Sequence, residues 1–324
     1  HLLIDSAVIL AVSSKVHASQ LKQQRPRAML PALGKPMVVR VMDRLYRAGI
    51  RQYVVIVGID DGAIASYVKN QWMPDAKVSF ILQSRDSLTK LMVQAANMLE
   101  RPFMVAGYNS FTLERYIRTL IKRHNDDPDA LFVTGAGLTL SPDAPSNHYA
   151  TTKGGIIDSI GTEKPPIKHY VLAETSICGR EVVSYLQGLD EDNLPTGKTW
   201  FEVLKSFVQR GDVPIKVSET SWILRVESDA NLLTLNKRLL DDSNDGHVLS
   251  ELPYSVKVHY PIRVDPSVSV GQEAELGPHV YIERGSSVGY GARIKNAVVL
   301  ENASVPADSD IDGAIVTSGG IIDL

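Results

Sequence analysis

The chain is short of several things, and each shortage excludes something. Its single cysteine, Cys178, rules out an intramolecular disulfide and leads us to expect a reducing, cytoplasmic setting. No apolar run approaches the roughly 18 residues of a membrane span. The formal net charge is only −3 over 324 residues, so bulk charge gives no reason to expect nucleic acid or a membrane surface as a partner. Acidic residues are absent between Asp5 and Asp43, whereas Lys15, Lys22, Arg25, Arg27, Lys35 and Arg40 all fall in that interval. Glycine is absent from Val12–His17, the turn after the first apolar run, where a phosphate-cradling loop would need it.

The remaining composition, 44% hydrophobic and 22% charged, is that of a globular chain long enough for two domains. Ala7–Val12 is too short for a secretory signal and follows Asp5 rather than a basic segment, so a buried strand is expected there. The first residue is His1, not Met, and the natural start is expected upstream.

To about residue 240 the pattern alternates strand and helix. Strands are expected at 7–11, 52–58, 78–83, 103–107 and 130–135, with helices at 36–48, 61–72, 87–100 and 112–124 between them. Such alternation argues for a parallel sheet with right-handed crossovers, whose ligands bind beyond the carboxyl ends of the strands. A hairpin is expected over 149–161, turning at Gly154-Gly155, then helices near 180–188 and 199–210, the strand "VPIKVS", and a helix over 228–242.

Beyond the "DDSNDG" linker the period becomes six. Val264, Val270, Leu276, Ile282, Val288, Ile294 and Leu300 recur at that interval, each followed four positions on by a small or β-branched residue from Val268 to Ser304. A parallel β-helix generates such a period, one flat face per hexad. The expected boundary divides an α/β domain, 1–244, from a β-helix, 245–324.

The segments "AVILA", "RPRAMLPALGKP", "RLYRAGI", "YVVIVG", "EKP" at 163–165, "W…RVESDANLLTLN" and the hexads together resemble the sugar-1-phosphate nucleotidyltransferases, the nucleotide-sugar pyrophosphorylases. The resemblance spans nearly the whole chain. It implies a Rossmann-like, mostly parallel sheet flanked by helices, followed by a short left-handed parallel β-helix of hexapeptide repeats. The implied reaction is attack of a sugar-1-phosphate oxygen on the α-phosphorus of a nucleoside triphosphate, releasing pyrophosphate. Catalysis there is positioning and charge neutralisation. A glycine-rich loop, its terminal arginine, flanking lysines and two Mg²⁺-binding aspartates supply it.

The chain departs from that pattern. Ser13 and Lys15 stand at loop-glycine positions, His17 at the arginine, and Arg27 at a lysine. Tyr108 replaces the aspartate after Gly107. The second aspartate falls at Leu224 or Arg225, depending on one gap. Leu88 replaces a glycine, while Thr89 matches. Losing both carboxylates removes a metal that lowers such a barrier by several kcal/mol, roughly 10³ in rate. Asp60, Asp86, Glu219 and Glu227 are the acids that could substitute.

Other positions are kept. Arg25, Arg27 and Lys35 read either as residual anion binders or as a solvated basic loop, and Gln83 as a base contact or an ordinary strand-end residue. Glu163 and Lys164 match sugar-phosphate contacts or form a surface ion pair. Tyr108 could stack on a base or fill the vacated site. His259 and His279 are expected as solvated loop residues rather than acyltransfer groups.

Three functions stay open. The chain binds a nucleotide sugar, a sugar phosphate or a catalytic paralogue without efficient catalysis. Alternatively it is an active nucleotidyltransferase with relocated metal ligands, or a structural assembly module. No cofactor is expected in the first case, and Mg²⁺ only in the second. The resemblance implies a homo- or hetero-oligomer.

Overall fold

The computed structural model describes residues 3–12, 21, 25–85 and 87–324. These divide into two compact units. The first holds 3–12, 26–29 and 37–225; the second holds 21, 25, 30–36 and 226–324.

In the first unit, β1 (Ser6–Leu10), β2 (Gln52–Val57), β3 (Lys77–Leu82) and β4 (Phe103–Gly107) pair in parallel in the order β3-β2-β1-β4. Three helices, α1 (Met37–Arg47), α2 (Gly62–Gln71) and α3 (Leu88–Leu99), connect regions of these strands. Every residue of β1 and β4 is buried, which is why both read as unbroken apolar runs. The helix boundaries have local causes. Ser87 Oγ accepts a hydrogen bond from the Lys90 N–H to cap α3, and Gly49 leaves α1 at φ 104°.

The chain passes from β1 outward to β3 and returns on the other side of β1 to form β4. That reversal makes the carboxyl ends of β1 and β4 the switch point of the sheet, where sheets of this kind form a ligand crevice.

The remaining elements are β5 (Ser110–Phe111), α4 (Tyr116–Asp126), β6 (Leu131–Ala136), the hairpin β7 (Tyr149–Lys153) and β8 (Ile156–Gly161), β9 (Tyr170–Cys178), α5 (Arg180–Gln187), α6 (Trp200–Arg210), β10 (Ile215–Thr220) and β11 (Leu224–Arg225). The full sheet order is β3-β2-β1-β4-β9-β6-β10-β8-β7. Here the sheet is more mixed than the mostly parallel one expected, with parallel and antiparallel pairs both present. β9 lies between β4 and β6 and runs antiparallel to both. A strand inserted from later in the chain leaves no mark on the local alternation of strand and helix. Val8, Val54, Phe103 and Val105 form one core with Leu91 and Met92 of α3 and Trp200, Phe201 and Phe207 of α6.

The second unit begins with α7 (Asp229–Asp242). The change of period near 245 therefore does not coincide with the contact boundary at Arg225/Val226. Short strands follow: β12 (Lys257–Val258), β13 (Ile262–Val264), β14 (Ser269–Val270), β15 (Glu275–Leu276), β16 (Val280–Ile282), β17 (Ser287–Val288), β18 (Arg293–Val299), β19 (Ser304–Val305), β20 (Asp310–Thr317) and β21 (Gly320–Asp323). They stack in parallel, Ile262 on Val280, Ser269 on Ser287 and Glu275 on Arg293, an offset of 18 residues. From Val280 onward the offset is 17, Val280 on Ala297 and Ser287 on Ser304. β21 folds back antiparallel on β20 and ends the stack.

The shorter offset corrects the last hexads read from the sequence. The Gly277-Pro278-His279 corner has three residues between Leu276 and Val280, whereas only Lys295-Asn296 separates Ile294 from Ala297. Inward positions therefore become Ala297, Val299, Ala303 and Val305, not Val298, Leu300 and Ser304. Single residues at positive φ turn the corners, among them Ser267, Glu273, His279, Asn296, Asn302 and Asp308. Val298 and Ile315 are buried all the same, because they form an outward row with Tyr281 and α7 packs against β18 and β20.

The frame shift is testable. Ala303→Lys places an unpaired charge inside the stack and should cost about 3 kcal/mol or more, whereas Ser304→Lys, on the exposed side, should stay within about 0.5 kcal/mol. Urea denaturation of both variants distinguishes the two frames.

Candidate functional site

The crevice beyond β1 and β4 is built on Gly107 and Tyr108. The Tyr108 N–H donates to the Leu10 carbonyl at 3.0 Å, extending the β4–β1 ladder by one residue, and its side chain is buried. β4 pairs with β9 as far as Ala106–Thr175, and one residue on, Gly107 meets Glu174. A Cβ at Gly107 would lie 2.9 Å from Glu174 Oε2, so only glycine lets that carboxylate approach the strand end. The β6–β9 register shifts between Val133 and Gly135, and the Glu174 N–H bonds the Ser110 hydroxyl at 3.1 Å.

β5 carries the chain past Tyr108 and pairs antiparallel with β11, Leu224 against Phe111 and Arg225 against Ser110. This pairing settles which residue reaches the crevice. Leu224 is fully buried, whereas the Arg225 Nη2 lies 2.7 Å from Glu174 Oε1. Arg225 is only 4% exposed and Glu174 14%. The guanidinium stands 4.9 Å from the Phe201 ring centroid, Phe201 stacks with His148 at 4.7 Å, and the Arg225 N–H donates to Ser141 Oγ at 2.9 Å. A buried cation paired with a partly buried carboxylate thus lies beside Gly107.

Mg²⁺ requires oxygen ligands, usually including carboxylates. Position 108 offers a phenol, 224 an alkyl chain and 225 a cation, and Arg225 already holds Glu174, the carboxylate beside Gly107. Asp60 is exposed after β2, and Glu219 accepts a hydrogen bond from the Tyr170 hydroxyl. Glu227 belongs to the second unit, and Asp86 lies outside the described residues. Among the described residues, no group of three or more His, Cys, Asp or Glu side chains could hold a metal ion. The described residues at this crevice do not fit Mg²⁺.

The other sequence candidates are scattered. Gln83 follows β3 in the first unit, with Nε2 3.4 Å from the Lys198 carbonyl, while the Leu88 N–H donates to the Gly197 carbonyl at 2.8 Å. The 197–198 segment therefore lies across the start of α3. Leu88 and Thr89 are both buried there. Glu163 and Lys164 are exposed between β8 and β9 and form no ion pair with each other. Arg27 opens a 3₁₀ turn, Arg27–Met29, and is half-buried.

In the second unit, Arg25 is committed to an acidic partner. Its two terminal nitrogens lie 3.2 and 2.6 Å from the carboxylate of Glu283, with Glu301 at 3.7 Å. A phosphate at Arg25 would compete with Glu283. Lys35 lies in a tight turn of the same unit, where the Ala32 N–H donates to its carbonyl at 2.8 Å and Leu33 and Gly34 adopt φ of 49° and 91°. Asn236 of α7 secures the strained Leu33 by accepting its N–H at 2.7 Å and donating to the Pro31 carbonyl at 2.9 Å. A Cβ at Gly34 would stand 2.5 Å from the Arg263 guanidinium carbon. Lys15 and His17, with Ser13 and Lys22, lie outside the described residues.

Two histidines of the second unit, His259 and His279, each face a carboxylate. Nε2 of His279 is 2.7 Å from Asp241 Oδ1, and Nε2 of His259 is 2.7 Å from Glu275 Oε1.

Sequence reasoning missed Glu174, Phe201 and His148. "LAETSIC" reads as an apolar run interrupted by a glutamate, and a charge in a central strand is a signal that it has a partner. Burial, first, and the Arg225 charge hold the His148 imidazole below its usual pKa; burial, then Arg180, do the same for His124.

Two outcomes follow. Arg25→Met leaves Glu283 without two charge-assisted hydrogen bonds and should destabilise the second unit by about 1.5–3 kcal/mol, read as a lower urea midpoint. His124 and His148 favour the neutral form when folded, so their contribution is complete above the unfolded histidine pKa, near 6.5, and is lost as pH falls below it. The melting temperature should drop between pH 7 and 5, and His124→Phe with His148→Phe should flatten that drop.

Comparison with known proteins agrees with this architecture. Residues 258–323 match the family described as GMPPB C-terminal domain. The bifunctional protein GlmU of Symbiobacterium thermophilum is 23% identical over 332 residues, covering 96% of this chain and 66% of the relative, so the chain spans somewhat less than two thirds of that protein. A protein of Sulfolobus acidocaldarius, provisionally named a mannose-1-phosphate guanyltransferase, is 22% identical over 304 residues, covering 91% and 75%. Among solved structures, HddC from Yersinia pseudotuberculosis, complexed with GMP-PN, superposes with a TM-score of 0.57 at 18% identity, covering 73% of this chain and all of that one. The C-terminal match, the relatives and the fold together support a member of the sugar-1-phosphate nucleotidyltransferase family.

Proposed function

We propose that this chain is a family member that binds a nucleotide sugar or sugar phosphate, a catalytic paralogue, or both, without efficient nucleotidyl transfer. The observation that carries the reading is the pairing of Arg225 with Glu174 beside Gly107, where a metal-dependent enzyme needs carboxylates around a cation. Buried Tyr108 supports it by occupying the adjoining strand end. In this reading no cofactor is required. In the first unit, Gln83 and Arg27 would contribute to nucleotide or phosphate binding, and Glu163 and Lys164, exposed and not paired with each other, to the sugar phosphate; Lys35 would contribute an anion contact within the second unit. Arg25 contributes only where a ligand displaces Glu283. The stacked C-terminal strands are proposed as a left-handed β-helix of hexapeptide repeats that serves homo- or hetero-oligomerisation, with the assembly acting in the cytoplasm. No helix among the described residues is long and apolar enough to cross a membrane.

The test pairs ligand binding with turnover. A thermal-shift panel of nucleoside triphosphates, nucleotide sugars and sugar-1-phosphates should show a selective shift that does not need Mg²⁺. A ligand at about 100 times its Kd adds roughly 2.7 kcal/mol, worth about 5–10 °C in a chain of this size. Lys164→Ala should reduce the shift for sugar phosphates. Pyrophosphate release at about 1 s⁻¹ or faster with any triphosphate and sugar-1-phosphate pair would overturn the reading and establish an enzyme with relocated metal ligands.

A further inference from the structure

We propose that Arg225 is a built-in cation for phosphate. Its guanidinium would bind a phosphate group of a nucleotide or sugar phosphate without any metal ion, with Glu174 as the internal anion that a ligand displaces. The inference rests on the reading that the first unit binds such a ligand.

Position is the first argument. Arg225 sits opposite Ser110, two residues beyond Tyr108, and its partner Glu174 packs directly on Gly107. Both therefore border the crevice between β1 and β4, the place in this topology where ligands bind.

Chemistry is the second. A guanidinium is permanently charged and presents a planar fork of N–H donors that matches phosphate oxygens. It supplies a positive charge without needing carboxylates to hold it, which is the combination found here: a cation kept and ligand aspartates absent.

Construction is the third. The Arg225 backbone is fixed by Ser141 Oγ, and the Phe201 ring supports the cation at 4.9 Å. Glu174 is held through its N–H by Ser110. Of the two partners, Glu174 is the more exposed, 14% against 4%, so Glu174 can turn towards solvent while Arg225 stays in place. A pair serving only to fill the core could be replaced by apolar residues without consequence for ligands. A phosphate site could not.

The experiment titrates the full chain with glucose-1-phosphate, mannose-1-phosphate, UDP, GDP, CDP, ADP and dTDP, each in EDTA and in Mg²⁺. At least one should bind with a Kd that changes less than about 2-fold between the two conditions. The Arg225→Met/Glu174→Gln double variant removes both charges of this pair together and should keep its melting transition, yet bind at least about 10-fold more weakly. Glu174→Gln alone removes the competing anion and should bind several-fold more tightly. Comparison of the sugar phosphates with the nucleoside diphosphates identifies which phosphate the guanidinium takes. A strict Mg²⁺ requirement, or a double variant that binds as tightly as the natural chain, would overturn this proposal and leave the ligand-binding reading in place. Failure of the natural chain to bind any probe would overturn this proposal and, with the nucleotide sugars of the thermal-shift panel also silent, the ligand-binding half of the proposed function.

Discussion

Parallel pairing of β1 with β2 on one side and β4 on the other is the constraint on which the first unit depends. It commits the chain to reverse direction across the sheet, and the reversal opens the crevice around which the candidate residues are arranged. Strands buried on both faces must be apolar throughout, so chemistry can be carried only at their ends and in the loops that follow. Gly107 is where that restriction becomes specific. A strand-end residue without a side chain admits the carboxylate of Glu174, and the carboxylate in turn holds Arg225.

A buried ion pair is not an economical way to stabilise a core. Desolvation costs several kcal/mol per ion, and a pair of well-packed apolar residues would serve as well or better. Its place at the switch point of the sheet, with a serine fixing each partner's backbone N–H and an aromatic ring beside the cation, is the ground on which a use for the charge is proposed. The same economy argument applies differently to Arg25 and Glu283 in the second unit. There the charge pair fastens the residue before Pro26 to the stacked strands, and the 30–36 turn is fastened by Asn236, with the Arg263 guanidinium packed against Gly34. The basic segment read from the sequence as one arm is thus apportioned residue by residue, with Arg27 assigned to one unit and Arg25 and Lys35 to the other.

Much of the fold was legible. The helices at 37–47, 88–99 and 200–210 and the strands of the parallel block follow from apolar periodicity and caps, which are properties of neighbours in the chain. The hairpin turned at Gly154-Gly155 for the same reason. The hexads were legible up to Ile294 and then lost frame, because one corner turns with two residues instead of three and period six cannot report a deletion that it has not yet met. β9 escaped because an antiparallel strand between two parallel neighbours is a matter of partners, and Glu174 escaped with it.

By itself, the sequence determined which residue types are present: a tyrosine after Gly107, a leucine and an arginine side by side at 224 and 225, a turn without glycine, and a stretch of basic residues with no acids among them. These are facts of composition at a position and need no fold. Tertiary structure alone decided what each residue faces. It chose Arg225 over Leu224 as the residue at the crevice, because the β5–β11 ladder points alternate side chains to opposite sides. It supplied Glu174 from a strand some fifty residues away, and it engaged Arg25 with Glu283 across 258 residues of chain. Electrostatic partnership depends on distance in space, and the chain order does not contain that distance until the sheet has formed.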